Sequence, residues 1–302
     1  MKEGFFEKRK IMVPCAILCC IFWGTAFPCI KIGYQLFDIS GEYPSQILFA
    51  GERFLLAGII IVLFMWIQER RVVLPPKNAI PIIIVIGLLL TVIQYALFYI
   101  GLGNTTAVKG SIISGCVGFF SILIAAVFIK SDRLTKSKII GCLLGFAGVV
   151  AVNFDGLEGG LTVNWLGDGL LLASTISAAF ANLATKKATR KYDAVMISGY
   201  QFIAGGIIMI AIGFAMGGNL EYSGVSSVVL MLYMACISSV AYTLWNVLLK
   251  HNDISKVVIF DFAVPVMGVI FSAMFLPEAG LTMACLIALV LVSMGIYMIN
   301  RR

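Results

Sequence analysis

The sequence predicts an all-α integral membrane protein with ten transmembrane helices, arranged as two inverted five-helix repeats. The first observation is composition: of 302 residues, 61% are hydrophobic and 12% are charged, about half of the ~25% charged residues in soluble proteins. The second is a series of ten apolar segments of spanning length, and the third is an internal repeat. The composition excludes a soluble globular protein, a disordered chain and a coiled coil.

Ten apolar segments follow one another along the chain, and a bilayer core of ~30 Å needs about 20 residues of helix to cross it. Charged or turn-forming stretches separate them, such as Glu69 to Pro76 and Lys130 to Lys138. The longest connection has about a dozen residues, so no soluble domain is expected. In chain order the predicted spans are 12–34, 46–68, 79–102, 106–129, 137–154, 166–188, 194–217, 226–249, 254–275 and 281–300.

The first predicted span follows Lys8, Arg9 and Lys10, a basic segment that is also typical of a secretory signal peptide. The apolar stretch from Ile11 to Ile30 is long enough to span the bilayer, and no small-residue cleavage motif follows it. We therefore interpret this segment as an uncleaved first transmembrane helix.

The basic residues indicate how the spans are oriented. With ten spans, all but three of the 22 lysines and arginines lie at the two termini and in every second connection. The other connections carry mainly acids, for example Asp38, Glu42 and Glu221. Because cytoplasmic loops are enriched in Lys and Arg, we expect a protein of the cytoplasmic membrane with both termini in the cytoplasm. The net charge of +7 is thus a topology signal, and no nucleic-acid partner is expected.

An internal repeat relates the two halves of the chain. A shift of 147 residues pairs Tyr95 with Tyr242, Lys109 with Lys256 and Gly148 with Gly295, and a shift of 148 places GERF at 51–54 on GYQF at 199–202. The predicted copies are residues 1–154 and 155–302. Five is an odd number of spans, so the second copy enters the membrane with the opposite orientation. Inverted repeats are typical of secondary transporters, whose substrate site lies near the bilayer midplane between the copies.

Short motifs throughout the chain resemble those of EamA-type proteins of the drug/metabolite transporter superfamily. The segment WGTAFPCIK at 23–31 is similar to the family's W-G-x-x-F-x-x-x-K pattern, and Arg53 with Phe54 matches its usual R-F pair. The segment FLPEAGLT at 275–282 resembles its F-L-x-E-x-L-T turn with one extra residue, and Pro265 matches a mid-helix proline. In the first copy, the segment that ends at Asp132 replaces the usual L-G-E, and Gly118 replaces the proline.

This resemblance implies a basket of ten helices that moves amino acids or other small metabolites. It also implies a central cavity lined mainly by the third, fourth, eighth and ninth spans, with contributions from the first and sixth. The residues themselves predict no cofactor and no metal site, because the eight cysteines form no C-x-x-C pair and His251 is the single histidine.

Polar and aromatic side chains share faces of the third and eighth spans, because residues four apart are neighbours on a helix. We expect these faces, together with Asp261 in the ninth span, to line the cavity. Asp261 is a candidate to take up a proton or to bind a cation, since an ionisable group in the hydrocarbon region is costly without a partner. The alternatives are an interfacial belt or helix packing for the aromatic faces, contacts between helices for Asn182 and Ser114, and a local hydrogen bond for Asp261. The predicted substrate-binding residues are Gln94, Tyr95, Phe98, Tyr99, Ser114, Asn182, Tyr242, Trp245, Asn246 and Asp261.

Four further charged residues, Lys31, Glu52, Arg53 and Lys109, are predicted to act in gating or charge coupling. Glu52 and Arg53 are adjacent and point about 100° apart on a helix, so they cannot easily pair with each other. The alternatives are that Lys31 extends to the membrane interface, and that Glu52 or Arg53 pairs with Lys31 or with a backbone carbonyl.

Together these features predict a secondary active transporter that moves small polar metabolites by alternating access, with export of amino acids or related metabolites as the leading hypothesis. The sequence has no Walker motif, so we expect a proton or substrate gradient to drive it. The alternative within this class is uptake of an organic cation or a nucleoside-like metabolite. A membrane-embedded enzyme or a passive channel is disfavoured by the scattered acids and by the lack of a filter segment. The expected partners are a small-molecule substrate, membrane lipid and a coupling proton, with the protein as a monomer or weak homodimer.

Overall fold

A computed structural model describes residues 4–39, 42–104, 107–152, 164–275 and 283–301, and all regular structure in these ranges is helical. Apolar runs without strand-like alternation account for this, since helices satisfy their own backbone hydrogen bonds in lipid. The helices are α1 (Arg9–Leu36), α2 (Tyr43–Glu69), α3 (Ile80–Ile86), α4 (Gln94–Gly103), α5 (Ala107–Phe128), α6 (Lys136–Val152), α7 (Leu170–Thr189), α8 (Ala194–Ala215), α9 (Val225–His251), α10 (Ile254–Val258), α11 (Ala263–Phe275) and α12 (Met283–Asn300).

Three short stretches depart from α-helical geometry. A π-helix at Gly87–Ile93 joins α3 to α4, and another at Trp165–Gly169 precedes α7. A 3-10 turn at Ile259–Phe262 joins α10 to α11. The stretches at Gly87–Ile93 and Ile259–Phe262 lie within continuous helical runs, and the stretch at Trp165–Gly169 begins one. Such departures from α-helical geometry often occur at functional sites.

Six helical runs are long and apolar enough to cross a membrane, and the described parts of two others are apolar but shorter. The six runs are Arg9–Leu36, Tyr43–Glu69, Lys77–Leu102, Trp165–Thr189, Ala194–Ala215 and Val225–His251. The shorter ones are Ile113–Phe128 and Leu286–Asn300. The predicted all-helical, multi-pass membrane architecture is therefore confirmed for the described residues, whereas the count of ten spans stays a prediction.

Two glycine-rich crossings hold pairs of helices close together. The most extensive contacts are those of α2 with α8, followed by those of α6 with α12. A Cβ atom added to Gly58 would lie 2.7 Å from the Ile203 backbone nitrogen, and one added to Gly206 would lie 2.6 Å from that of Leu55. The absence of side chains at these glycines therefore allows the backbones to approach, as is common between membrane helices.

The remaining helices surround the centre of the molecule. Helix α1 packs against α9 and α11, and α7 packs against α4 and α5. Two large apolar clusters lie on either side, one centred on α1, α9 and the α10–α11 run, and the other on α2, α4 and α8. Helices α1, α4, α5, α7, α9 and α11 thus face a common central space.

A buried polar cluster closes the end of the molecule that holds both chain ends. Asp132 is fully buried in the α5–α6 connection. Its carboxylate accepts hydrogen bonds from the Ser255 backbone N–H (3.0 Å) and hydroxyl (2.6 Å), and from Lys138 Nζ (2.5 Å). Nearby, Asn252 Nδ2 donates to the carbonyl of Phe6 at 3.0 Å. The cluster ties the α5–α6 connection to the start of α10.

Candidate functional site

A cavity of about 170 Å³ occupies the central space. Its volume is close to that of an engineered apolar cavity of ~150 Å³ that holds benzene, so a small organic molecule fits. All but one of the residues predicted to bind substrate line it, namely Gln94, Tyr95, Phe98, Ser114, Asn182, Tyr242, Trp245, Asn246 and Asp261. The structure therefore brings together residues from α4, α5, α7, α9 and the 3-10 turn.

Aromatic rings form one wall of the cavity. The Trp23 ring of α1 lies 5.0 Å from the Tyr242 ring and 4.9 Å from the Trp245 ring, measured between centroids. The hydroxyl of Tyr95 lies 2.5 Å from the hydroxyl of Tyr242, so either can donate to the other. These contacts connect α1, α4 and α9, and they offer a largely apolar surface with a few polar edges, which is typical of small-molecule sites.

Arg53 of α2 also lines the cavity, although it is only 2% exposed. Its Nε donates to the Ser238 hydroxyl at 3.0 Å, and its Cζ lies 5.2 Å from the centroid of the Phe54 ring. Within the described part of the chain, its two Nη nitrogens make no hydrogen bond and no ion pair. The guanidinium therefore presents unused donors beside the cavity, which is unusual because buried charges are normally paired.

Asp261 lies in the 3-10 turn that interrupts the ninth helical run. Pro265 accounts for the interruption: it has no N–H to donate to the Asp261 carbonyl four residues earlier, and its ring crowds that carbonyl. Instead, the backbone N–H of Ala263 donates to the carbonyls of Asp261 and Phe260. The Asp261 side chain opens partly to the cavity, yet its Oδ2 atom is sealed from solvent and has no hydrogen-bond partner among the described residues.

Two further buried polar atoms of the lining lack partners among the described residues, the indole N–H of Trp23 and Oε1 of Gln94. In contrast, the two lining asparagines are held in place. Asn182 Nδ2 donates to Ser121 Oγ at 3.1 Å, and Asn246 Nδ2 donates to Ser198 Oγ at 2.8 Å. The cavity lining thus combines amides that are fixed by hydrogen bonds with buried polar atoms that lack partners among the described residues.

Tyr99 is the predicted substrate-binding residue that does not line the cavity. It is 2% exposed, and its ring lies behind the wall, 6.1 Å from the Tyr95 ring and 5.8 Å from the Phe98 ring. On a helix with about 100° between successive residues, Gln94, Phe98 and Tyr95 cover one arc, and Tyr99 falls about 40° beyond its edge. The expectation that Tyr99 faces the cavity was therefore wrong.

Among the charged residues that are predicted to act in gating and have a described side chain, Arg53 alone lines the cavity. Lys31 is exposed on α1, which fits extension towards the membrane interface. Lys109 belongs to α5, but its side chain lies outside the described part. Glu52 accepts a hydrogen bond from the Tyr222 hydroxyl. Burial and the Glu52 carboxylate raise the pKa of Tyr222, which keeps this phenol protonated as the donor.

Among the described residues, neither Glu52 nor Arg53 is paired with Lys31 or with a backbone carbonyl, so these contacts do not support that alternative. Their partners are side-chain hydroxyls, since Glu52 accepts from Tyr222 and Arg53 donates to Ser238.

The sequence reasoning missed several lining residues, among them Trp23, Ser174 and Thr175. Ser174 and Thr175 lie eight and seven residues before Asn182, so the helical period that places i, i+4, i+7 and i+8 on one face would have found them. Trp23 lies in the first-span motif. Among the described residues, no group of three or more His, Cys, Asp or Glu side chains is placed to hold a metal ion.

The model of the EamA-like transporter family matches this chain twice, over residues 10–154 and again over residues 165–301. The chain belongs to the EamA-like transporter family. A solved crystal structure has the same fold with a TM-score of 0.79 over 95% of each chain, at 15% sequence identity. The family match confirms the predicted membership of the drug/metabolite transporter superfamily, and this membership implies a small-molecule substrate and a lipid environment.

The curated relatives of this EamA-like transporter carry names of transporters. YvbV, an uncharacterised transporter of Bacillus subtilis, is 26% identical over 93% of this chain and 89% of its own. A probable amino-acid metabolite efflux pump of Escherichia coli is 27% identical over 93% and 92%. A probable terminal-alkyne amino-acid exporter of Streptantibioticus cattleyicolor is 22% identical over 95% and 92%.

In this EamA-like transporter the cavity is lined by the segments that the resemblance implied. Helices α1, α5, α7 and α9 and the interrupted runs through α4 and α11 all contribute. Arg53 of α2 is an addition that the resemblance did not imply.

Proposed function

We propose that the protein is a secondary active transporter that exports amino acids or related small polar metabolites across the cytoplasmic membrane by alternating access. The observation that carries this proposal is the central cavity, where unpaired polar groups of Arg53, Asp261 and Gln94 meet an aromatic wall. The names of two relatives, a probable amino-acid metabolite efflux pump and a probable amino-acid exporter, support the substrate class.

The proposed architecture is ten spans in two inverted copies, with boundaries near residues 154 and 155. The contacts of α2 with α8 support it. Under a shift of 148 residues, Leu55 is equivalent to Ile203 and Gly58 is equivalent to Gly206. The two close approaches at this crossing are Gly58 to Ile203 and Gly206 to Leu55. Each contact is thus the repeat equivalent of the other, as a two-fold axis requires.

The hydrogen bond between Tyr95 and Tyr242 supports the same axis. The two residues are 147 positions apart and are equivalent under the repeat. A residue can touch its own equivalent only where the axis passes between them. The inferred axis therefore runs through the cavity wall, where a small rearrangement of the two copies can exchange access between the two ends of the molecule.

The proposed orientation places both termini in the cytoplasm. The end of the molecule that holds the buried Asp132 cluster also holds Lys138, Lys186 and the basic N-terminal helix start at Arg9. This concentration of Lys and Arg at one end is what the positive-inside rule associates with the cytoplasmic face.

Uptake of an organic cation, with Asp261 as the counter-charge, is less well supported than amino-acid transport. The same cavity contains the guanidinium of Arg53, which repels a cation and attracts an anionic group. A substrate that carries both a positive and a negative group fits the two charges better than a simple cation does.

A flux assay in proteoliposomes tests the proposed function. Purified protein is reconstituted, and counterflow of each of the twenty protein amino acids and of a nucleoside and amine panel is measured. We expect saturable flux of at least one amino acid, dependent on a pH gradient if the proton is the coupling ion. A protonophore separates proton coupling from exchange. Absence of saturable flux for every class, at verified reconstitution, would overturn the proposal.

A further inference from the structure

We propose that Arg53 and Asp261 form the two ends of a recognition site for a zwitterionic α-amino acid, in which Arg53 binds the carboxylate and Asp261 the ammonium group. This inference rests on the proposed function and specifies the chemistry of its substrate. It follows from three observations: the unused donors of Arg53, the unpartnered oxygen of Asp261, and the way the two charges break the symmetry of the repeat.

The Arg53 end of the cavity is prepared for a carboxylate. The Ser238 hydroxyl receives the Arg53 Nε–H, and Ser238 itself donates to the Met234 carbonyl at 2.8 Å, so the stem of the guanidinium is held in place. The two Nη nitrogens are left without protein partners in the described residues. A planar pair of N–H donors matches the two oxygens of a carboxylate, and such bidentate pairs are among the strongest hydrogen bonds in proteins.

The Asp261 end is prepared for a cationic group. Its Oδ2 is sealed from solvent without a partner in the described residues, and no described Lys, Arg or His forms an ion pair with it. Gln94 adds a second unpartnered acceptor, Oε1, to the cavity lining. The Asp261 side chain opens partly to the cavity. An ammonium group, with three donors and no acceptor, matches a carboxylate that has no cationic partner.

The two charges break an otherwise symmetric arrangement. A shift of 148 places Arg53 on Gln201, and a shift of 147 places Thr91 on Ser238. The bond from Arg53 to Ser238 has its counterpart in the bond from Thr91 Oγ1 to Gln201 Oε1, at 2.9 Å. Both repeat-related positions therefore have such a hydrogen bond between the copies. Only the pair that contains Arg53 carries a positive charge.

Asp261 breaks the symmetry in the opposite sense. Its counterpart 147 residues earlier is Ser114, which also lines the cavity. The first copy thus contributes the cation and the second copy the acid, at positions where the other copy has neutral side chains. The phenol of Tyr242 lines the same cavity as both charges. The cavity lining therefore carries a positive charge from the first copy and a negative charge from the second.

The aromatic wall of the same cavity indicates which side chain the substrate carries. Trp23, Tyr242 and Trp245 offer ring faces, and the cavity volume of about 170 Å³ leaves room for a compact group. We therefore infer an apolar side chain of the size of leucine or smaller, rather than one with a third charge, which would lie against these rings without a partner.

Binding measurements on the purified full-length protein in detergent test this inference separately from transport. Thermal stabilisation is measured first for the twenty protein amino acids, because a ligand of the folded state raises apparent stability. The best amino acid is then compared with its decarboxylated amine and its deaminated acid; for leucine these are 3-methylbutylamine and 4-methylpentanoate. Each analogue lacks one charge, and we expect it to bind roughly 10- to 100-fold more weakly, as for loss of a hydrogen bond to a charged group.

Two variants assign the ends of the site. Arg53→Gln places a glutamine where the other half of the chain has Gln201, so the variant is expected to fold. Because it lacks the proposed carboxylate partner, it should bind the amino acid no better than the amine. Asp261→Asn should bind it no better than the acid. Glu69→Gln and Arg71→Gln, at exposed positions beside the end of α2, are the matched controls and should leave binding unchanged.

Each outcome bears on one of the two proposals. The inference is overturned if no amino acid binds, if the amine or the acid binds as tightly as the amino acid, or if both cavity variants keep the native preference. Saturable flux of another metabolite would then leave the proposed function standing. Conversely, selective binding of an amino acid without any flux in proteoliposomes would remove the proposed function and leave the dipolar site.

Discussion

The pair formed by Tyr95 and Tyr242 determines much of the cavity wall at the residue scale. The two hydroxyls bond to each other, and the rings are held by Phe54, whose centroid lies 4.6 Å from that of Tyr95, and by Phe202, 5.0 Å from Tyr242. A buried hydroxyl that loses its only partner costs more than the hydrogen bond contributes, because its desolvation is no longer compensated. The two tyrosines should therefore act as one unit.

This coupling gives a prediction for Tyr95→Phe and Tyr242→Phe. Each single variant leaves the other hydroxyl unpaired and should destabilise the fold by about 1–3 kcal/mol, whereas the double variant removes both partners and should be less destabilised than the worse single one. Thermal unfolding in detergent, read by tryptophan fluorescence, measures the effect. Tyr233→Phe is the control, since Tyr233 is 42% exposed. Additive losses in the double variant would contradict the predicted coupling.

The sequence predicted side chains that are neighbours on one helix better than it predicted pairs across helices. Tyr242, Trp245 and Asn246 were expected on one face, and the structure places all three at the cavity. The partner of Arg53 could not be anticipated, because Ser238 is 185 residues away and local periodicity carries no information on such a pair. The expectation for Tyr99 was wrong because Tyr95 lies at the edge of the helix face that lines the cavity. The residue four positions later on the same helix can then already lie in the core.

At the scale of elements, the interruptions of the helices were harder to predict than the helices. Apolar runs of spanning length predicted the helical segments directly. The 3-10 turn at Ile259–Phe262 has a visible cause in Pro265, which was recognised only as a family feature. The π-helix at Gly87–Ile93 contains no proline. It packs against α8 and α7, and a single sequence does not reveal such contacts.

The Asp132 cluster is an element-scale connection whose strength can be measured. Asp132 is fully buried and accepts three hydrogen bonds, while Lys138 is 14% exposed. Removing one partner of a buried ion pair typically costs about 3–5 kcal/mol, and here the Ser255 N–H and hydroxyl would also lose their acceptor. We therefore expect Asp132→Ala to lower the unfolding temperature markedly and to free the start of α10, seen as faster amide hydrogen exchange at residues 254–258.

Asp253→Ala is the matched control for this prediction. Asp253 pairs with Lys256 at 3.3 Å, and both side chains are more than a third exposed, 37% and 39%. Exposed pairs contribute about 0–1 kcal/mol, so this variant should unfold close to the native temperature. Equal effects of the two substitutions would show that burial does not determine the contribution of the Asp132 cluster.

For the whole molecule, the number of spans decides the topology. Six runs meet the criteria of length and apolarity, whereas α6 has 17 residues and the run through α10 and α11 is interrupted. Many connections lie on the same side of the membrane whether the chain has ten spans or six. The reason is that the four predicted spans outside the six runs form two consecutive pairs. The connections within those pairs, at residues 129–135 and 276–282, are the ones that differ.

The last prediction uses these two connections. In a bacterial host, reporter fusions are placed after Arg133 and after Glu278, with one reporter active only in the cytoplasm and another only outside it. Ten spans place Arg133 in the cytoplasm and Glu278 outside, whereas six spans give the reverse. Fusions after Lys191 (cytoplasmic) and Asn219 (outside) are controls that both topologies share. We expect the ten-span result, because buried Asp132 joins residue 255 at the end that holds both chain termini, and a reversed pair of signals would exclude the inverted five-span repeat.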